Sequence, residues 1–421
     1  MTSRERVLTA LAHREPDRIP VDFGSATANC MQAQCIADLR DYYGLERRPV
    51  LLYDSFQMLG WIEEDLKKVL RLDVEGMMPP RNIVGIPNTD WRPWRLFNGL
   101  EVLVPGGYAP LEDDNGDLLL HPQGDPSAPA SARMPKDGFY FDPIERNSVP
   151  AEDARDPSEN LEEFKTVSDQ DLNWLKLEAE RAAGTGRAVM AKTGAAGTSF
   201  GDILLIPGLA LKNPKGIRST AEWMIAHLTR PDYIRSLFER QSDLAVANLE
   251  RIAEVIGNLV DVVWLCSTDF GTQSSTFFSV DTYRQLYLPF YKRLTDWIHI
   301  HTQWRVLKHS CGAVAGLMES FIDSGFDIIT PVQCSAAGMK PAQLKAAYGD
   351  RIVFWGGGVD TQKTLPFGSP ADVREEVLGR CEIFSKDGGF VFNAVHNIQA
   401  GTPVENIVAM FDAVWEFNGG S

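Results

Sequence analysis

The sequence predicts an α/β fold: a (β/α)8 TIM barrel carrying an antiparallel β insertion. Three observations lead there. Short apolar runs near residues 21, 74, 190, 263, 307, 328, 353 and 391 read as strands, and helical patterns separate most of them. Asp269, His309, Cys311, Cys334, Gly357 and His396 fall at or just after strand ends, where a barrel gathers its chemistry. Between about 81 and 160 the alternation stops, and two Asn-Gly turns flanked by apolar runs replace it. A doubly wound open sheet is the structural competitor.

At 421 residues the chain is expected to form one barrel domain spanning 1–421, with the insertion at about 81–160. A hydrophobic content of 44% with 23% charged residues describes a soluble protein with a substantial core. The net charge of −16 and pI near 5.0 argue against nucleic acid or an anionic membrane as partner. Apolar stretches such as Val262–Cys266 are too short to span a bilayer, and Thr2–Leu8 has no signal-peptide character. Six cysteines lie scattered, without the spacing of a disulfide scaffold, so a reducing cytoplasm is the expected location.

Along the chain, Thr2 and Glu5 form a capping-box pattern ahead of a stripe of Val7, Leu8 and Leu11. Pro16–Pro20 ends that helix, and Val21–Gly24 reads as a short strand opening into a loop. A helix is expected around 31–43, then a strand over Leu72–Met78. Asn98-Gly99 and Asn115-Gly116 are hairpin turns, and Asp125–Gly138 is a Pro/Ala/Ser-rich connection. The block either covers the barrel mouth or forms a homodimer contact.

Helices are expected over 161–183, 220–227, 231–256, 280–301, 313–324, 341–347 and 370–386, with Pro289 kinking the fourth. The last helix opens with Thr402-Pro-Val-Glu405, a capping box with proline at the first helical position.

His309 and Cys311 stand two apart on an extended segment, so both side chains point to one side. An imidazole and a sulfur there suit one soft metal ion, and a catalytic zinc needs three protein ligands plus an open position. In the barrel reading His396 becomes the third ligand. Cys334 or Asp269 is the candidate fourth, or water and substrate take that place. Asp269 could also hold a ligand histidine, contact a substrate cation or act as a base; an Asx-turn is its plain alternative. Gly356–Gly358 could admit an anion to backbone N–H groups or serve only to turn the chain. Cys30, Cys35, Cys266 and Cys381 read as packing residues.

The stretches Ser3-Arg-Glu-Arg-Val, Glu15-Pro-Asp-Arg-Ile-Pro20, Asp269-Phe-Gly-Thr-Gln273, His309-Ser-Cys-Gly312, Trp355-Gly-Gly-Gly-Val-Asp360 and Thr402-Pro-Val-Glu-Asn406 resemble the uroporphyrinogen decarboxylase-like superfamily. The likeness covers the chain apart from 81–160. The superfamily's true decarboxylases carry an arginine-rich N-terminal signature that holds the carboxylates of the porphyrinogen. Here the equivalent stretch, Pro20–Asn29, has no arginine. Its corrinoid-dependent methyltransferases hold zinc through His-x-Cys and a later Cys. His309 and Cys311 match that pattern, and His396 stands at the later position.

The resemblance therefore implies a methyltransferase that uses zinc and a corrinoid protein or cobalamin, with a small-molecule methyl donor or acceptor. A decarboxylase-type lyase and a non-catalytic tetrapyrrole- or corrinoid-binding protein are the alternatives.

Overall fold

The computed structural model describes residues 1–419 and is organised by seven parallel strands. These are β1 (Val74–Gly76), β2 (Ala188–Lys192), β3 (Val262–Cys266), β4 (Arg305–His309), β5 (Ile328–Thr330), β6 (Val353–Trp355) and β7 (Phe390–Val391). Each pairs with its neighbour in sequence, as successive strand–helix units require.

The strand expected at Val21 is reduced to a single bridge to Phe392. Proline at 20 has no N–H to give, and Gly24 (φ +88) turns the chain into the short Thr27–Asn29 turn. Yet this segment bonds on both sides. Asp22 N donates to Phe392 O and Asp73 N donates to Val21 O, so it lies between the two edges of the curled sheet. Among the described residues the structure is an α/β fold built on a curled, open sheet of seven parallel strands, one short of the eight that the expected (β/α)8 barrel requires.

Both faces of the sheet are buried, which explains the unbroken apolar runs of β3, β6 and β7. Met190, Val262, Trp264, Leu307, Ile328, Val353 and Trp355 form one cluster inside the curl. The alternate residues Val189, Val263, Val306, Ile329 and Phe354 pack outward with the helices. The N-terminal helix Ser3–Leu11 adds Val7 and Leu11 to the inner cluster. Its capping box forms as expected, and Arg4 reaches Asp261 just before β3. That helix therefore covers the N-terminal ends of the strands and leaves the C-terminal ends for the site.

Most outer helices match their expected spans, including Pro231–Ile256 and Pro370–Phe384. The helix over 280–301 breaks at Tyr287, beside the N–H-less Pro289. Three boundaries differ. The helix expected from 161 begins at Asp169, where Ser168 caps Asp171 N. The helix expected over 313–324 is a short 3-10 turn followed by Met318–Asp323. The final helix starts at Val404 without a capping box, because the Thr402 hydroxyl donates to Gln399 O instead.

Both Asn-Gly turns close antiparallel pairs, Arg92–Arg95 with Glu101–Val104 and Leu111–Glu112 with Leu118–Leu120. The first pair is not self-contained. Glu101–Val104 also runs parallel to Val50–Asp54, a strand that the sequence pattern does not signal. Among the described residues no helix is long and apolar enough to cross a membrane.

Asp73, fully buried before β1, ties the N-terminal segment to the sheet. It accepts hydrogen bonds from Arg6 Nη1 (2.7 Å), Arg18 Nη1 (2.8 Å) and Val21 N (3.0 Å). Removing one partner of a buried ion pair strands the others, at about 3–5 kcal/mol. Asp73→Ala should therefore lower the urea midpoint by the equivalent of about 3 kcal/mol or more. A midpoint equal to wild type would show that the anchor carries no stability.

Candidate metal centre

β4 delivers His309 to the C-terminal end of the sheet, facing inward two residues beyond Leu307. Trp264 of β3 stacks on its ring, with centroids 5.0 Å apart and planes 19° from parallel. Cys311 follows in the loop, and its Sγ lies 3.4 Å from His309 Nε2. His396, beyond β7, approaches from the far edge of the sheet, its ring 5.8 Å from that of His309. One ligand-type atom from each of the three lies within 4.8 Å of the other two.

Two loops hold this arrangement. Gly312 takes φ +90, and a Cβ there would sit 2.3 Å from Gly271 O, so the 269–273 and 311–313 backbones touch. Ala313 N donates to Thr272 O (2.7 Å), and Cys311 N donates to Asp269 Oδ1 (2.8 Å). The same Oδ1 is 3.5 Å from His309 Nε2. Asp269 thus binds the Cys311 backbone and flanks the histidine. From below, buried Asp202 accepts Ser267 N and the Thr268 hydroxyl, both at 2.8 Å. Buried Lys308 donates to Thr268 O (2.8 Å) beneath the rings of Phe270, Tyr291 and Phe321.

The donor set fits a zinc ion. Ligand bonds of about 2.3 Å to sulfur and 2.0–2.1 Å to nitrogen at a tetrahedral angle put S and N about 3.5 Å apart. The sulfur and Nε2 already stand at that spacing. Burial holds both imidazoles below their ordinary pKa, with His396 and the Lys308 and Lys192 charges adding to the effect at His309. Both rings are thus neutral, the state a metal requires. Asn397 Oδ1 lies 2.8 Å from His396 Nδ1 and also accepts Gln399 Nε2, so Nδ1 is the donor and Nε2 presents its lone pair. His309 Nδ1 is buried without a partner among the described residues.

The other sequence candidates fall outside the trio. Cys334 turns its sulfur to Val332 O (3.4 Å) and Gly357 O (3.8 Å). The N–H groups of Gly356, Gly357 and Gly358 are spent on Val391, Ala394 and Asn393 carbonyls, so no anion cradle forms there. The sequence reading passed over Asp202, Lys308 and Asp22. Asp22 lies fully buried, with Ser25, Asn29 and Trp355 all donating to its Oδ2, and burial pushes its carboxyl up to about 6. Its place in Val21-Asp-Phe resembled an ordinary strand residue. No spacing rule links it to Trp355.

Burial first, and then the Asp269 charge, push the Cys311 thiol well above its ordinary pKa. In metal-free protein Cys311 should therefore alkylate more slowly at pH 8 than an ordinary thiol, because the thiolate is the nucleophile. Asp269→Asn keeps an acceptor for the Cys311 amide but removes the charge, and should speed the reaction several-fold. Site-resolved mass spectrometry of iodoacetamide labelling reads this directly. An unchanged rate in the variant would remove the carboxylate from the account.

Comparison with known proteins agrees with the architecture. A methyltransferase from Methanosarcina mazei shares the fold, with a TM-score of 0.54 over 99% of both chains at 15% identity. A uroporphyrinogen decarboxylase from Psychromonas ingrahamii is 32% identical over 96 residues, which is 22% of this chain and 26% of that protein's length. The Uroporphyrinogen decarboxylase (URO-D) family model matches residues 196–417, which carry five of the seven parallel strands, β3 to β7, together with all three clustered ligand-type residues. The chain belongs to the uroporphyrinogen decarboxylase (URO-D) family.

Proposed function

We propose that this protein is a zinc-assisted methyltransferase that uses a corrinoid, free or protein-bound, as methyl donor or acceptor. The observation that carries the reading is the convergence of His309, Cys311 and His396 within 4.8 Å at the C-terminal ends of parallel strands. The corrinoid comes from the likeness of His309-Ser-Cys-Gly312 and Thr402-Pro-Val-Glu-Asn406 to the methyltransferase branch. The shared fold with the Methanosarcina mazei methyltransferase is in keeping with it.

His309, Cys311 and His396 would hold the zinc. When bound, zinc lowers the pKa of a thiol or hydroxyl acceptor so that its nucleophilic form is present at neutral pH. The chain's own residues prepare that role. Asn397 sets the tautomer of His396, Trp264 fixes the plane of His309, and Asp269 holds the Cys311 amide in a supporting polar position. An imidazole at 396 in place of a thiolate leaves more positive charge on the ion, which favours an acceptor other than the usual coenzyme thiol.

Purified protein should contain stoichiometric zinc by elemental analysis, lost in His309→Ala and Cys311→Ala. Demethylation of methyl-cobalamin, followed by its visible spectrum with thiol and hydroxyl acceptors, should fall at least ~100-fold in Cys311→Ala, beyond the loss typical of outer-shell changes. Metal-replete protein without zinc, or equal rates in the two proteins, would reject the reading.

Family membership also raises the lyase reading, and the lack of arginine counts against it for the porphyrinogen substrate. Residues 20–29 contain none, and nearby Arg18 is committed to Asp73. The protein should form no coproporphyrinogen from uroporphyrinogen in a coupled assay. Robust formation would favour the lyase.

A further inference from the structure

The inner face of the sheet ends in a layer that includes Lys192 of β2 and His309 of β4. Each stands two residues beyond a packed inner residue, Met190 and Leu307. Lys192 pairs in register with Trp264, and its Nζ sits 5.6 Å from the centroid of that indole, whose ring also stacks on His309. The ammonium and the His309 ring are therefore no more than about 11 Å apart.

Lys192 differs from the two fully buried lysines, Lys67 and Lys308. Lys67 is paired with Glu75 at 2.6 Å, and Lys308 is bound to Thr268 O under three aromatic rings. Lys192 has one hydrogen bond, to the Thr27 hydroxyl at 3.2 Å, and no carboxylate within ion-pair distance among the described residues. Burial pulls its pKa down, and the charges of Asp54 and Asp202, neither within ion-pair distance, offset that only in part. The side chain is only half-buried, so a small solute can reach it. On a chain of net charge −16, a local cation is what an anionic solute needs at this mouth.

The geometry points to Lys192 as a carboxylate-binding residue, so that the small-molecule partner of the reaction is a short carboxylic acid. Its acid group would sit on the Lys192 side of Trp264, with its reacting atom toward the His309–Cys311–His396 centre. A carboxylate would supply the missing counter-ion and make charge-assisted hydrogen bonds with a group that has two protons to spare. The assignment of that acid as a methyl donor or acceptor rests on the methyltransferase reading; the binding site does not.

The test is equilibrium binding by calorimetry, using benzoate and acetate against benzamide and acetamide, with zinc-loaded and zinc-free protein. No methyl transfer is involved, so the site can stand if the methyltransferase reading falls, and the reverse. Wild type should bind at least one acid ten-fold or more tighter than its amide, about 1.4 kcal/mol. Lys192→Gln should lose that preference while keeping its melting temperature, and Lys192→Arg should restore part of it. Equal binding of acid and amide by wild type overturns the inference without any variant. An acid preference that survives in folded Lys192→Gln does so as well.

Discussion

The contact between Gly271 and Gly312 is the constraint on which the candidate centre depends. Two strand-end loops meet backbone to backbone, closer than any Cβ would allow. Only at that separation can the Asp269 carboxylate take the Cys311 amide and flank His309 at once. The loops are in turn set by buried polar groups on the outer side of the sheet, Asp202 and Lys308, which bind the 267–268 backbone and hydroxyl. Buried polar groups of this kind are satisfied in one geometry and costly in others, so they specify a loop conformation more sharply than apolar packing does.

Burial explains why the centre is competent for a cation and poor for anything else. It keeps both imidazoles neutral and the thiol protonated, so the metal-free cluster carries no charge of its own. His309, Cys311 and His396 would hold a divalent ion, which would take Cys311 as a thiolate in a water-poor setting where the attraction is strongest. Asp269, partly exposed, places its carboxylate at the rim. The mouth thus combines neutral donors and a rim carboxylate at one side with an ammonium that has no ion-pair partner among the described residues across the Trp264 indole.

The same curl of the sheet brings the distant parts of the site together. His309 and His396 are 87 residues apart in sequence, yet β4 and β7 lie on one curved surface with their C-terminal ends on the same side. The segment at Val21, bonded to Asp73 on one flank and Phe392 on the other, keeps the two edges of that surface near each other. Asp73, with Arg6 and Arg18, anchors it.

By itself the sequence determined where the seven parallel strands lie, since strands buried on both faces are rich in apolar residues, and it determined the His-x-Cys pair, since two-residue spacing is local geometry. The capping box at Thr2 and both Asn-Gly turns were legible for the same reason: each is settled by four or five adjacent residues. Thr402 shows the limit of such rules, because its hydroxyl had a competing acceptor in Gln399 O. His396 was expected beside the pair from its place after a later strand, but only the tertiary structure decided that Cys334 turns away to Val332 and Gly357. It also decided that Val21 makes one bridge instead of a strand, and that Lys192 faces the same mouth with no carboxylate within ion-pair distance among the described residues. These are long-range contacts, set by sheet curvature and by which buried polar groups find partners, and no local pattern in the chain encodes them.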